Sequence, residues 1–264
     1  MLYWRKYFQR AYASFQEFSV YRLNTVFNIA NSLLYLVMFY AIWSAIDQQG
    51  SIRGGLNQVM SYYVVSQFIW NGVVSMGPEN YIGKSIRKGR IVNQLKRPMS
   101  LRADAYFREV GGSFFKILSR SFPVLAIGTA VFGMSVPSPV NALAFAVAVP
   151  LSFQLVFMFA YLIAAITFWS KVSWSLQMMR VLLVNLLAGA LFPIYLMPQF
   201  AQDILNLLPF QPMIDGPINV YLMRTTGTDI LLLFGKQLFW IAVLYVLSRY
   251  LWKKALKKLT VQGG

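Results

Sequence analysis

The sequence contains no cysteine and no histidine among its 264 residues. Disulfides, thiolate or imidazole metal ligands and histidine-based acid–base catalysis are therefore excluded. Charge is also scarce: only 12% of the residues are charged, against about a quarter in a typical soluble domain. Apolar residues make up 58% of the chain and form long runs between the charged clusters. This pattern predicts a membrane protein with neither a catalytic site nor a metal site.

Several apolar runs reach the length of roughly 20 residues that a spanning helix needs. They predict an all-α membrane protein with a six-span transmembrane domain over residues 26–264. A proline at position 150, inside the fourth run, predicts a kink or tilt there. The predicted spans cover about 26–46, 59–77, 114–134, 141–168, 174–197 and 230–251.

Basic residues are distributed very unevenly between the two sides of this predicted topology. All but three of the 24 lysines and arginines fall on one side, and the exceptions are Arg53, Arg224 and Lys236. Because basic residues are retained in the cytoplasm, both termini are predicted to be cytoplasmic. The net charge of +16 is thereby explained by topology, so a nucleic-acid partner is not required.

Three segments outside the spans have compositions of their own. Residues 1–25 interleave aromatic and basic residues, which predicts an amphipathic helix lying in the membrane interface; a solvated basic tail is the alternative. Residues 79–104 form a long basic cytoplasmic loop. Residues 198–229 contain several prolines and few charges, which predicts short re-entrant helices on the external side.

The residues Gly83-Lys84-Ser85 resemble the end of a phosphate-binding loop. That motif requires a glycine five positions before its second glycine, where this chain has Pro78. Nucleotide binding by this chain is therefore not predicted. No carboxylate pair lies within a predicted span, which argues against a proton-coupled or sodium-coupled pump.

Uncharged polar residues recur inside the predicted spans. Asn24, Asn28 and Asn31 share one face of the first span, and Gln67 and Asn71 share one face of the second. They either line a polar pathway or form hydrogen bonds between helices. The lining residues proposed on the first interpretation are Ser66, Gln67, Asn71, Met178 and Asn185.

Four short motifs follow one another along the chain. Tyr21-Arg22 precedes the first span and is followed by Asn24-Thr25-Val26-Phe27. The loop from Gly89 to Pro98 reads G-x-I-x-x-x-L-x-R-P. Gly189, Pro193 and Pro198 fit G-x-x-x-P-x-x-x-x-P, and Leu208 to Pro212 fits L-P-x-x-P. In these motifs the sequence resembles the membrane subunit of type-2 ABC exporters, in particular the viologen-exporter-like branch. The Arg/Asp-rich N-terminal pattern of polysaccharide exporters is absent.

This resemblance implies a permease that dimerises, with an identical or different second chain, in the bacterial cytoplasmic membrane. Two separate ABC ATPase subunits would bind ATP and Mg²⁺, and this chain would hold no cofactor. The implied coupling residues in the loop are Gly89, Ile91, Leu95, Arg97 and Pro98. The implied external gate comprises Pro193, Pro198, Pro209, Phe210 and Pro212.

Two other classes remain as alternatives, a secondary transporter and a lipid-modifying membrane enzyme. The first predicts an ionisable residue at membrane depth, and the second predicts a catalytic polar cluster at one interface. An apolar, aromatic and uncharged pathway suits multidrug-type cargo that is hydrophobic or amphipathic, cationic molecules included.

Overall fold

A computed structural model describes residues 2–48, 55–74, 77–88, 91, 94, 99–170 and 172–259. These residues form helices and connecting turns, and no strand occurs among them. The first half contains α1 (Leu2–Ser19), α2 (Arg22–Asp47), α3 (Gly55–Val73), α4 (Pro78–Arg87), α5 (Leu101–Lys116), a π-helical turn (Ile117–Ser121) and α6 (Phe122–Phe132).

The second half begins with a long helix and continues through shorter elements. It contains α7 (Pro139–Ser170), α8 (Trp174–Leu187), a 3-10 turn (Ile194–Leu196), α9 (Gln199–Leu207), a second 3-10 turn (Gln211–Met213), α10 (Asp215–Tyr221) and α11 (Thr228–Leu259). Helices α7 and α11 pack against each other along their length. Trp252 of α11 donates a hydrogen bond from Nε1 to the carbonyl oxygen of Tyr161, at 3.1 Å.

Four helical stretches in the described part of the chain are long and apolar enough to cross a membrane. They are Arg22–Asp47, Leu101–Phe132, Pro139–Ser170 and Thr228–Lys257. The prediction of an all-helical, multi-pass membrane protein is therefore confirmed. The count of six spans, the cytoplasmic termini and the re-entrant helices remain predictions.

Helix α3 coincides with the second predicted span but is less apolar than the four stretches above. Every residue from Tyr62 to Ile69 is buried, because α3 is enclosed by α2, α6, the π turn, α7 and α10. A helix surrounded by protein can contain polar side chains, since they bond to neighbouring helices rather than face lipid. This position explains how Ser66 and Gln67 can lie in its middle.

The segment predicted as a fifth span, 174–197, is not one continuous helix. Helix α8 ends at Leu187 after 14 residues, which corresponds to about 21 Å against a hydrocarbon thickness of about 30 Å. Gly189 follows with φ +83°, a left-handed conformation that glycine adopts readily, and Pro193 prevents the helix from resuming immediately. The backbone after α8 is therefore irregular until α9 begins.

The predicted third span begins earlier than the sequence suggested. Ser100 caps α5, its Oγ accepting a hydrogen bond from the Ala103 amide at 3.2 Å, and the helix continues to Phe132. The π turn at Ile117–Ser121 lies just before Pro123. A proline cannot donate to the preceding turn and its ring crowds that turn, and a π turn accommodates both effects.

Helix α1 packs along α5. Gly111 makes this approach possible, since a Cβ at that position would overlap the carbonyl oxygen of Ala11. Arg10 Nε also lies 2.8 Å from Asp104 Oδ1. Trp4 and Phe8 remain 73% and 74% exposed, which suits contact with a membrane interface. The interfacial location itself remains a prediction.

We predict that Gly111→Ala loosens the α1–α5 contact and lowers stability by about 1–3 kcal/mol, because the new methyl group meets backbone rather than a flexible side chain. Gly235→Ala in α11 is the matched control, since no atom lies within 4 Å of its added Cβ. Thermal unfolding in detergent measures both variants. Equal stability of the two would contradict the close α1–α5 contact.

Candidate functional site

A cavity of about 180 Å³ lies between α2, α3 and the end of α8. Four of the five predicted lining residues meet there, while Met178 lies elsewhere and is 38% exposed. None of the described residues that line it is charged. The lining comprises Asn28, Asn31, Ser32, Tyr35, Ser66, Gln67, Trp70, Asn71, Asn185 and Ala190.

Part of this polar lining is bonded internally. Asn71 Nδ2 lies 3.0 Å from Ser32 Oγ and 2.9 Å from the carbonyl oxygen of Gln67. Ser32 in turn donates to the carbonyl oxygen of Asn28 at 3.0 Å. Asn71 therefore joins α3 to α2 through a hydrogen bond and also forms part of the cavity wall. The pathway interpretation remains a prediction.

A second cavity of about 450 Å³, which we call the vestibule, adjoins the first. The two cavities share Asn28, Trp70 and Asn71 as wall residues. The vestibule differs in charge, because the described residues that line it include four basic side chains and one carboxylate, that of Glu109. The remaining lining residues are Phe18, Asn24, Val74, Gly77, Tyr81, Lys84, Arg108, Lys116 and Arg120.

Lys116 and Arg120 are functional candidates that sequence reasoning missed. It assigned both to the cytoplasmic side, but they lie buried in the continuous helix Leu101–Phe132, with residue exposures of 7% and 9%. The available signal was their spacing, since Arg108, Lys116 and Arg120 recur at multiples of four residues. The sequence did not predict that these two side chains are buried. Their cytoplasmic side and the suitability of cationic cargo remain predictions.

A fully buried ion pair joins α4 to α8. Arg180 Nε lies 2.6 Å from Glu79 Oε1, and both side chains are 0% exposed. Burial raises the pKa of the Glu79 carboxyl, and the positive charge of Arg180 opposes that rise. The two residues are 101 positions apart in sequence, so no local pattern could have identified them as a pair.

Gly77 positions the carboxylate of this pair. It caps α4 with φ +67°, Pro78 occupies the first turn, and a Cβ on Gly77 would overlap the Glu79 carboxylate. Glu79 therefore lies in the first turn of a helix, where a negative charge is favoured by the exposed backbone amides. Helix α4 is held between α7 and α8 by this arrangement.

The predicted coupling loop lies only partly within the described residues. Gly89, Leu95, Arg97 and Pro98 lie outside them. Ile91 is 1% exposed and packs in the hydrophobic core of its own chain. Its part in coupling to a partner remains a prediction.

One further loop residue, Gln94, is bonded to α4. Its Nε2 lies 2.7 Å from the Tyr81 hydroxyl and 3.0 Å from Ser85 Oγ. Tyr81 donates to Asp104 Oδ2 at 3.1 Å, and Asp104 also binds Arg10. The loop is thereby linked through α4 and α5 to α1.

At the other end of α8, buried hydrogen bonds support the irregular backbone. The Tyr62 hydroxyl lies 2.9 Å from both the Gly189 carbonyl oxygen and Asp215 Oδ1. Gln211 and Asn219 donate to Asp215 Oδ2 at 3.1 and 2.8 Å. Backbone that leaves the helix among buried residues requires such partners.

The five residues predicted to form an external gate lie along this irregular stretch and its continuation. Pro193, Pro209 and Pro212 are buried, whereas Pro198 is exposed at the start of α9. Phe210 packs edge-on against Phe159 of α7, with ring centroids 5.4 Å apart. The Pro212 carbonyl accepts a hydrogen bond from Gln237 of α11 at 3.0 Å.

An all-helical multi-pass protein with polar cavities between its helices has the architecture of a membrane transporter. The sequence profile of ABC-2 family transporter proteins matches residues 17–263. The chain therefore belongs to the ABC-2 family of transporter proteins, and it is a transporter membrane subunit. The resemblance is confirmed at the level of the family, while the viologen-exporter-like branch remains a prediction. No curated protein matches the sequence significantly.

We predict that Glu79→Leu and Arg180→Leu each destabilise the chain by about 3–5 kcal/mol, because each removes the ion-pair partner of a buried charge. The double variant restores much of this loss, since it removes both charges together. Thermal unfolding of the four proteins in detergent measures the coupling. Additive losses would show that the pair does not act as a unit.

Proposed function

We propose that this chain is half of the membrane part of an ATP-driven exporter. Two permease chains, identical or different, form the substrate pathway, and two separate ABC ATPase subunits supply ATP hydrolysis with Mg²⁺. Membership of the ABC-2 family supports this proposal. The cytoplasmic membrane of a bacterium is the proposed location.

The observation on which the proposal depends is the pair of adjoining cavities. A charged vestibule leads into an uncharged polar cavity, and both are lined by α2 and α3. Ser66, Gln67, Asn71 and Asn185 form the proposed pathway wall of this chain. The proposed mechanism is alternating access, in which the pathway opens to one side of the membrane at a time.

The proposed coupling route runs from the loop at 79–104 to α8. Gly89, Leu95, Arg97 and Pro98 would contact the ATPase, with Leu95 as an apolar anchor in a groove. Displacement of the loop would move α4, to which Gln94 is bonded. The Glu79–Arg180 pair would then transmit that movement to α8.

Movement of α8 would reach the proposed external gate directly. Gly189 follows α8 and is bonded to Tyr62 of α3. Pro193, Pro198, Pro209 and Pro212 fix the backbone angle φ at four points beyond it, and Phe210 packs on α7. A shift of α8 would therefore be passed into this segment. The irregular stretch is thus the proposed hinge of the external gate.

We predict that the chain, extracted from its native host's membranes in mild detergent, co-purifies with an ATPase that contains G-x-x-x-x-G-K-[ST]. Leu95→Asp should abolish this association, because a buried charge opposes docking in an apolar groove. Leu207→Asp is the matched control, since Leu207 lies in the predicted external segment and is 77% exposed. Transport without any such ATPase would favour a secondary transporter instead.

We predict that Gln67→Ala with Asn71→Ala reduces efflux of fluorescent amphiphiles and their stimulation of ATPase activity. The reason is that both side chains form the wall of the uncharged cavity. Asn57→Ala with Gln58→Ala is the matched control, because it changes the same residue types at the exposed start of α3. Thermal unfolding of each variant separates loss of transport from loss of folding. Unchanged efflux and stimulation would refute the pathway assignment.

A further inference from the structure

The vestibule contains more positive charge than its own residues neutralise. Lys84, Arg108, Lys116 and Arg120 line it, against the one carboxylate of Glu109. Arg108 is already occupied, since it lies 3.0 Å from Glu17 Oε1 and stacks over the Tyr81 ring. The excess charge is therefore concentrated on the other three basic residues.

Arg120 and Lys116 are the most informative of these residues because they are buried. No hydrogen-bond acceptor reaches Nε of Arg120 within the described parts of the chain. Lys116 Nζ lies 4.9 Å from the centre of the Phe18 ring, and neither cation forms a salt bridge with any described carboxylate. Lys116 is attracted by the charge of Glu109 at longer range. One such carboxylate does not compensate two buried cations, so this arrangement favours an anion from outside the chain.

The rest of the vestibule wall indicates what else this anion would carry. Phe18, Trp70 and Val74 provide an apolar surface beside the cations. Asn24 adds an amide group that can donate hydrogen bonds to oxygen atoms, whereas the Nδ2 groups of Asn28 and Asn71 already donate within the chain. A site with cations, an amide donor and an apolar wall fits a molecule with an oxyanion at one end and an apolar body.

We propose that the vestibule binds an amphiphile with an anionic phosphate or carboxylate headgroup, which Lys116 and Arg120 contact. This inference rests on the proposed function, because it names the substrate class of the same pathway. Arg120 would donate from its guanidinium in the fixed geometry that suits an oxyanion, and Lys116 would act as a point charge. Asn28 and Asn71 would then lie at the boundary with the uncharged cavity.

The test measures binding of short-chain phosphatidylglycerol to the purified chain by native mass spectrometry. Phosphatidylcholine of the same chain length and inorganic phosphate are the comparison probes. We expect Lys116→Gln with Arg120→Gln to weaken phosphatidylglycerol binding by about tenfold or more, because charge-assisted hydrogen bonds are lost. Binding of phosphatidylcholine should not change.

Two further variants control for folding and for general surface charge. Arg120→Lys keeps the positive charge but loses the planar guanidinium, so its affinity should lie between that of the unmodified chain and that of the double glutamine variant. Lys253→Gln with Lys254→Gln removes two exposed cations from α11, outside the vestibule, and should leave binding unchanged. Phosphatidylglycerol binding should weaken as the salt concentration rises. Loss of this salt dependence in Lys116→Gln with Arg120→Gln, but not in Lys253→Gln with Lys254→Gln, would support a local site.

Three results of the binding assay would overturn all or part of the inference. Phosphatidylglycerol binding that is equal in the unmodified chain and the vestibule variant overturns the inference, as does equal binding of phosphatidylcholine. If inorganic phosphate binds as tightly as phosphatidylglycerol, the inference that the ligand is an amphiphile is overturned, and the vestibule is a site for a free anion. Because the assay needs no ATPase, these failures are separate from failure of co-purification, which tests the proposed function.

Discussion

Polar groups buried among helices in a membrane must find partners inside the protein, because lipid offers none. This constraint determines where α8 can end. The backbone at Gly189 leaves the helix beside Tyr62, whose hydroxyl lies within hydrogen-bonding distance of it, and Asp215 holds that hydroxyl from the other side. Since Asp215 has its own donors, the irregular stretch is supported by a closed set of contacts.

The same constraint explains why α3 is enclosed by other helices. Its polar side chains need hydrogen-bond partners, and the helices around its buried middle can supply them. A more apolar helix could occupy this position with less dependence on its partners. The polar composition of α3 instead links the walls of both cavities to the supports of the irregular stretch, so that the two features share one helix.

Sequence patterns predicted those features that depend on neighbours along the chain. Gln67 and Asn71 share a face because they are four residues apart, and with Asn28 and Asn31 they meet in one cavity. The glycine and prolines after α8 marked a special segment, although the sequence alone suggested a helix up to 197. The Glu79–Arg180 pair and the burial of Arg120 depend on contacts between distant segments, which helical periodicity does not encode.

Helix α4 connects the vestibule to α8. Its Tyr81 and Lys84 line the vestibule, while its Glu79 is bonded to α8. If the vestibule binds an anionic headgroup, the next cavity offers that headgroup amides but no cation, so the inward step opposes the electrostatic gradient. Energy would then be needed at that step. Helix α4 lines the vestibule and is bonded to α8 through Glu79, so it is positioned to deliver that energy in the proposed mechanism. The proposed anionic headgroup and the proposed coupling through α4 are therefore consistent with each other.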